Sequence, residues 1–283
     1  MTPAPPETPQ PADDLRPAPF VPPEPHGPQA RVRTLDWAQP GRWLALGWKD
    51  LWSFPGVSGF FGLSFWVMAL GIAWTFQTMP QYTMSMACGC LLVGPFWALG
   101  LYDISRRKLS GQTVSRWAAL TCWRAHVRSL GLLVLVLLVL ELLWGRASLV
   151  VFAVFFDTGW PSSSSVLAAV FKPENYAFIA VYTAVGGIFA ALVYSTTVVS
   201  IPMILDRDTD AISATIVSMR VVYDHPGVML LWGAIITLLV VLALSWWHAV
   251  GLILIGPWLG HASWHAYCGT VQWIDAESSQ PYR

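Results

Sequence analysis

The chain has 283 residues, 55% of them hydrophobic and 11% charged, with 16 basic and 16 acidic side chains. A water-exposed surface needs roughly 25% charged residues, so this composition excludes an ordinary soluble domain and points to lipid as the natural solvent. Zero net charge gives no electrostatic case for a nucleic-acid partner, and the 17 Trp suit a headgroup interface.

Residues 1–36 are rich in proline and poor in large apolar side chains, which predicts a disordered cytoplasmic tail. No basic n-region followed by an apolar core opens the chain, so no cleavable signal peptide is expected and the first apolar span directs insertion. A spanning helix needs about 20 mostly apolar residues. Six segments qualify, near 57–79, 83–104, 129–151, 177–201, 227–246 and 249–271. Helix is the expected form, since an open strand would leave backbone groups unsatisfied in lipid.

A short amphipathic segment precedes each odd-numbered span. Before the first, Trp43, Leu44, Trp48, Leu51 and Trp52 form an apolar stripe, with Arg42, Lys49 and Asp50 expected on the other face. Before the third, Val114, Trp117, Ala118, Thr121, Cys122 and Ala125 share a face opposite Arg116, Arg124 and Arg128. Before the fifth, Ile212, Ile216, Met219 and Tyr223 keep the same period. Helical spacing combined with basic residues marks a helix lying in the interface.

Charge sets the orientation. Arg106, Arg107, Lys108, Arg116, Arg124, Arg128, Arg207 and Arg220 fall on one side of the expected bundle, against Arg146 and Lys172 on the other. The positive side is cytoplasmic, which places both termini there. The longest outer connection, about 157–175, has the proline, serine and glycine content of a loop.

"LLVGPFWALG" from Leu91 and "LILIGPWLGH" from Leu252 repeat one feature, a Gly-Pro pair inside a returning span. Gly94-Pro95 and Gly256-Pro257 should kink spans two and six, and Pro202 should do so near the end of span four. The glycines would allow close backbone approach. The expected fold is therefore an all-α membrane protein of six transmembrane helices. It consists of three repeated units, each an interfacial amphipathic helix plus a helical hairpin. Residues 37–274 form the membrane domain, with units at about 40–110, 112–208 and 209–274, and 275–283 form a short cytoplasmic tail.

The stretches "GWKDLWSFPGVSGFFGL", "GPFWALGLYDISRRKLSGQ", "ELLWGRASLVVFAVFFD" and "IPMILDRDTDAISATIVSMRVVYDHPGVMLLWGAIIT", with "GPWLGHASWHAY" further on, resemble a family of bacterial integral membrane proteins. It is known as domain of unknown function family 2189. The resemblance runs over about residues 40–272. It implies a fold and an inner-membrane address, with no reaction attached.

Ionisable groups inside a membrane are candidates for function. Glu141 sits mid-way along span three, Arg146 follows it, and His261 and His265 share a face of span six. Glu141 is expected to pair with Arg146 or His261, or to relay a proton or bind a cation with His261. Haem would need a second axial ligand; His126, His225 and His248 are expected near membrane surfaces, so no cofactor is expected. Asp103, Arg106, Arg107 and Lys108 form a charged cuff after span two, and Asp206, Arg207 and Asp208 another after span four. The two aspartates would pair with Arg207 or nearby basic groups, or converge on a divalent cation. Asp208 or Asp210 would cap the following helix. The four Cys are too scattered for a disulfide framework. No nucleotide-binding, zinc-protease or serine-hydrolase signature is present. These features favour a non-enzymatic accessory or scaffold protein packing against lipid and other membrane proteins, such as a respiratory complex. The alternative is a small-solute or ion transporter or channel using Glu141 and His261 near the bilayer midplane.

Overall fold

A computed structural model describes residues 29–79, 82–156 and 175–274. Most of the predicted N-terminal tail, nearly all of the predicted outer loop, the residues after 274 and the side chain of Cys88 lie outside that description. Residues Ala30–Gln272 form one compact unit, which holds every helix described. The second unit joins Met1–Gln29 with Trp273–Arg283, of which only Gln29, Trp273 and Ile274 are described.

The chain enters through a short strand, β1 (Gln29–Val32), and then α1 (Gln39–Ser53), α2 (Pro55–Thr78), α3 (Thr83–Trp97) and α4 (Leu99–Leu109). Next come α5 (Arg116–Thr121), a 3-10 turn over Cys122–His126, and the long α6 (Val127–Phe155). They are followed by α7 (Tyr176–Thr197), α8 (Ser200–Arg207), α9 (Ala211–Asp224) and α10 (Pro226–Ser245). After a 3-10 turn at Trp247–Ala249 come α11 (Leu252–Thr270) and β2 (Val271–Ile274), which pairs with β1.

Among the described residues, four stretches are long and apolar enough to cross a membrane: Pro55–Thr78, Arg116–Phe155, Tyr176–Arg207 and Pro226–Ser245. The six expected from sequence become four for two separate reasons. Helix α3 has 15 residues, about 22 Å at 1.5 Å per residue, against a hydrocarbon core of about 30 Å. It ends at the break around Ala98, where the backbone restarts as α4. Helix α11 has 19 residues but carries His261, Ser263 and His265 within them, which dilutes its apolar character.

Two junctions share sequence and shape. Phe54-Pro55-Gly56-Val57 joins α1 to α2, and His225-Pro226-Gly227-Val228 joins α9 to α10. The residue before each proline has nearly the same dihedrals, φ −133° and ψ 58° at Phe54 and φ −132° and ψ 57° at His225. Proline disfavours an α-helical backbone in the residue before it, which favours ending one helix there; its fixed φ then suits the first position of the next.

Helix α1 packs most extensively on α11, and α11 also lies against α2 and α4. Close approach requires glycine at two of these crossings. A Cβ on Gly47 would stand 2.6 Å from the backbone nitrogen of Ala262. One on Gly62 would collide with the Ile253 carbonyl. A core of Phe61, Leu101, Ile104 and Ala119 fills the space between α2, α4 and α5.

The amphipathic segments turn many of their large apolar side chains outward, although Trp43 and Leu51 of the α1 stripe are buried. Trp48, Trp52, Trp117, Ile212, Ile216 and Tyr223 are all exposed. The buried face of α1 mixes Trp43, Gly47, Asp50 and Leu51, and that of α9 uses Ala211, Ala214, Ser218 and Val221. In α9 that is the arrangement of a helix whose large apolar side chains face lipid while its small ones pack on protein.

Candidate functional site

A buried polar network joins α1, α2, α4 and α11. Asp50, in the last turn of α1, is 4% exposed. The stripe Trp43, Gly47, Asp50 faces α11, so the carboxylate is carried inward and away from the polar face expected for it. Its Oδ1 accepts from Lys108 Nζ at 2.7 Å, and its Oδ2 accepts from Ser105 Oγ at 2.6 Å and His265 Nε2 at 2.8 Å. Lys108 Nζ also donates to Ser53 Oγ at 2.7 Å. Ser105 and Lys108 are three apart on α4 and His261 and His265 four apart on α11, so each pair shares a helix face.

The chain of bonds continues past Ser105. His261 Nδ1 lies 2.8 Å from Ser105 Oγ, and its Nε2 lies 3.0 Å from Ser58 Oγ. An ionised carboxylate only accepts, so Ser105 donates to Asp50. Ser105 must then accept from His261 Nδ1–H, which leaves Nε2 to accept the Ser58 hydroxyl. The direction of every hydrogen in the run Ser58, His261, Ser105, Asp50 is thus fixed by one charge. Burial by itself would push the Asp50 carboxyl up. Hydrogen bonds from His265, Lys108 and Ser105, with the attraction of His265, outweigh that and hold it well below the usual carboxylate range.

A serine bonded to a histidine that is oriented by further groups has the outline of an activated nucleophile. Ser58, however, is fully buried, as are Ser105 and His261. A cleft lined by its neighbours Gly56, Val57, Phe60 and Phe61 does not include it. The arrangement ties four helices together around buried hydroxyls.

The charged cuffs are likewise paired. Asp103 is fully buried and is held by Arg106 (2.7 Å) and Arg107 (2.6 Å) of its own helix. Arg106 also donates to the Leu205 carbonyl at 3.0 Å, linking α4 to α8. Asp206 accepts from the Tyr267 hydroxyl at 2.8 Å and lies 3.5 Å from Arg207. Asp208 turns the other way, to His126 Nδ1 at 2.7 Å. These two carboxylates therefore diverge, and Asp210 caps α9 by accepting from Ser213 N–H at 2.9 Å. That bond, first among its hydrogen bonds, lowers the Asp210 carboxyl.

Glu141 and His261 are not brought together. Both ring nitrogens of His261 are engaged with serines, one of them in the first turn of α2. Glu141 sits at mid-length of α6, on the inward stripe of Leu130, Leu133, Leu137 and Ser148. Its Oε2 is buried without a hydrogen-bond partner among the described residues. No ion pair joins it to Arg146 among the described residues. Five residues turn the helix about 140° out of line, where four would have aligned the pair.

The proline sites differ from one another. Pro95 precedes the break at Ala98, and Gly94 has no neighbour within 4 Å of a Cβ position, so the close approach expected there is absent among the described residues. Gly256 does make one, against Phe65 of α2, and Pro257 is buried in an α11 that continues unbroken. Pro202 is the third residue of α8, in a first turn where proline costs no intrahelical bond.

The sequence had pointed to His261 and His265. Asp50, Ser58 and Ser105 escaped it because hydroxyls and a lone carboxylate in an amphipathic segment carry no spacing signature. The usable signal was Gly47, which marks the packed face that Asp50 shares.

Residues 82–206 match the model of a family described as a predicted integral membrane protein, domain of unknown function family 2189. The resemblance read from the motifs is thereby shown over that stretch, from the residue before α3 into α8. It takes in Ser105 and Lys108 and leaves the rest of the network outside it. No curated protein and no solved structure matches the chain.

Proposed function

Starting from its place among predicted integral membrane proteins, we propose that the chain crosses a bacterial inner membrane six times with both termini in the cytoplasm. The two crossings beyond the four long apolar stretches are α3 with α4, acting as one broken span, and α11. Three units then follow in order: α1 to α4, α5 to α8, and α9 to α11. The paired Pro-Gly-Val junctions, with matching dihedrals, support the correspondence of the first and third units. The surplus of Arg and Lys beside α4, α5, α8 and α9 supports the orientation.

Within that frame the protein is a non-enzymatic accessory or scaffold subunit of a membrane complex, a respiratory complex being one such setting. The observation that carries this reading is the saturation of the Asp50 network. Its carboxylate, two serines and two histidines satisfy one another in a buried core, as polar groups do when their work is to hold helices together. Affinity purification from native membranes in mild detergent tests it. The expected result is a membrane protein partner recovered in near-equimolar amount; reproducible recovery of the chain alone would overturn the reading.

One observation favours a second reading, a small-solute or ion transporter. The Glu141 carboxyl lies on the inward face of α6 with Oε2 buried and unpartnered, the condition in which an intramembrane acid binds a cation or a proton. Under it, Glu141→Gln abolishes a proton- or ion-coupled flux without lowering abundance.

A further inference from the structure

A cleft of about 260 Å³ opens between the first turns of α2 and α5. Its apolar part is made by Val57, Phe60 and Phe61 of α2 and Leu120 of α5. Phe61 closes the floor at 1% exposure, while Phe60 is 46% exposed along the side. The rim is of opposite character. Arg116 reaches over Gly56, its Nη2 lying 3.5 Å from where a Cβ on that glycine would be. Trp117 stands next to it, 78% exposed.

Arg116 pairs with no carboxylate among the described residues. Arg124, whose guanidinium lies 5.8 Å from the Trp123 ring centre, also has no carboxylate partner there, and neither does Arg128. The cleft thus sets the unpaired guanidinium of Arg116 beside an apolar lining, with Arg124 and Arg128 further along the same segment. Small-molecule pockets enclose roughly 300–1,000 Å³ and bury most of their ligand. A smaller, open cleft at the foot of a spanning helix suits a molecule only partly withdrawn from a lipid layer.

We propose that this cleft seats one anionic phospholipid. Its phosphate sits on the Arg116 guanidinium, its ester region lies beside the Trp117 indole, and its first methylenes run against Val57 and Phe60. Arginine matches a phosphate with a planar fork of donors, and an indole prefers the ester level of a bilayer. Basic pockets between spanning helices on the cytoplasmic side take anionic headgroups for the same reason. The inference rests on α2 standing in a bilayer and is independent of the scaffold reading, since it needs no protein partner.

The test is native mass spectrometry of the delipidated full chain in detergent, titrated with phosphatidylglycerol or phosphatidylcholine of matched acyl chains. One phosphatidylglycerol should be retained about fivefold more tightly than phosphatidylcholine, the factor that a single basic residue supplies near an anionic headgroup. Arg116→Gln should erase that preference and Arg116→Lys should restore part of it. Gly56→Leu should weaken binding of the same lipid by filling the cleft beneath the arginine. Arg42→Gln, an exposed arginine of α1 away from the cleft, should change nothing. Three results would each overturn the proposal: no preference in the parent, an equal loss in Arg42→Gln, or displacement of the lipid by inorganic phosphate. The last would identify a site for a free ion.

Discussion

Asp50 receives three donors on two oxygens, and removing its charge would leave Lys108, His265 and Ser105 without the acceptor they share. Breaking one side of a buried charged pair costs about 3 kcal/mol. Asp50→Ala should therefore lower the unfolding free energy by about that amount, read as a reduced melting temperature in detergent; an unchanged melting temperature would show the network to be energetically idle. Ser105→Ala is the sharper probe of direction. It strands the His261 Nδ1–H and should cost about 2 kcal/mol, the penalty of an unsatisfied buried donor. The pH response comes from the depressed Asp50 carboxyl. In the unfolded chain that group titrates near ~4, so its stabilisation is fully present above that pH and is lost as pH falls through the lower folded value. Melting curves of the parent should show this loss below about pH 4, and Asp50→Asn should lack it. At this scale the sequence was a partial guide. It singled out His261 and His265, whose place on one helix face follows from spacing alone. Their partners on α1, α2 and α4 are set by tertiary packing, which spacing does not encode. The same limit explains Glu141, which is isolated because depth along a helix says nothing about which helix stands opposite.

Helix positions were legible to within a few residues, because about 20 apolar residues bounded by charges or proline leave little choice. The breaks were not. Gly94-Pro95 and Gly256-Pro257 look alike in sequence, yet α3 ends soon after the first and α11 runs through the second. The difference lies in surroundings: Pro257 is buried, with Gly256 against Phe65, whereas Gly94 has open space beside it. A paired substitution tests this. Gly62→Ala places a methyl into the Ile253 carbonyl, where two backbones meet and neither yields easily. It should destabilise by about 1–3 kcal/mol, as overpacking does. Gly94→Ala meets nothing and gains helix propensity, so stability should hold or rise by up to about 1 kcal/mol. Equal effects at the two sites would contradict the packing described. The amphipathic helices carry a related lesson. Their periodicity identified them as helices, but not which side faces lipid: the stripe Ile212, Ile216, Met219 and Tyr223 of α9 is exposed, whereas in α1 Trp43 and Leu51 are buried and Trp48 and Trp52 exposed.

Across the whole molecule, composition was sufficient to place the chain in a membrane, and the matched family stretch agrees with that placement. The number of crossings is where length and hydropathy stop short, since α3 is too short alone and α11 too polar. The six crossings proposed would place Ser110 and the C-terminus on the cytoplasmic side and Met79 and Trp247 outside. Single-cysteine labelling of intact cells should therefore reach positions 79 and 247 but not 110, and a C-terminal reporter should be cytoplasmic. A reporter found outside would show that α11 does not cross. The deeper claim is that the buried polar groups are structural. Ion and proton flux into sealed vesicles carrying the purified protein tests it most directly, compared with empty vesicles and with Glu141→Gln. The expected result is no flux above that of empty vesicles for either protein. A flux in the parent that Glu141→Gln abolishes at equal protein abundance would contradict it and establish the transporter reading.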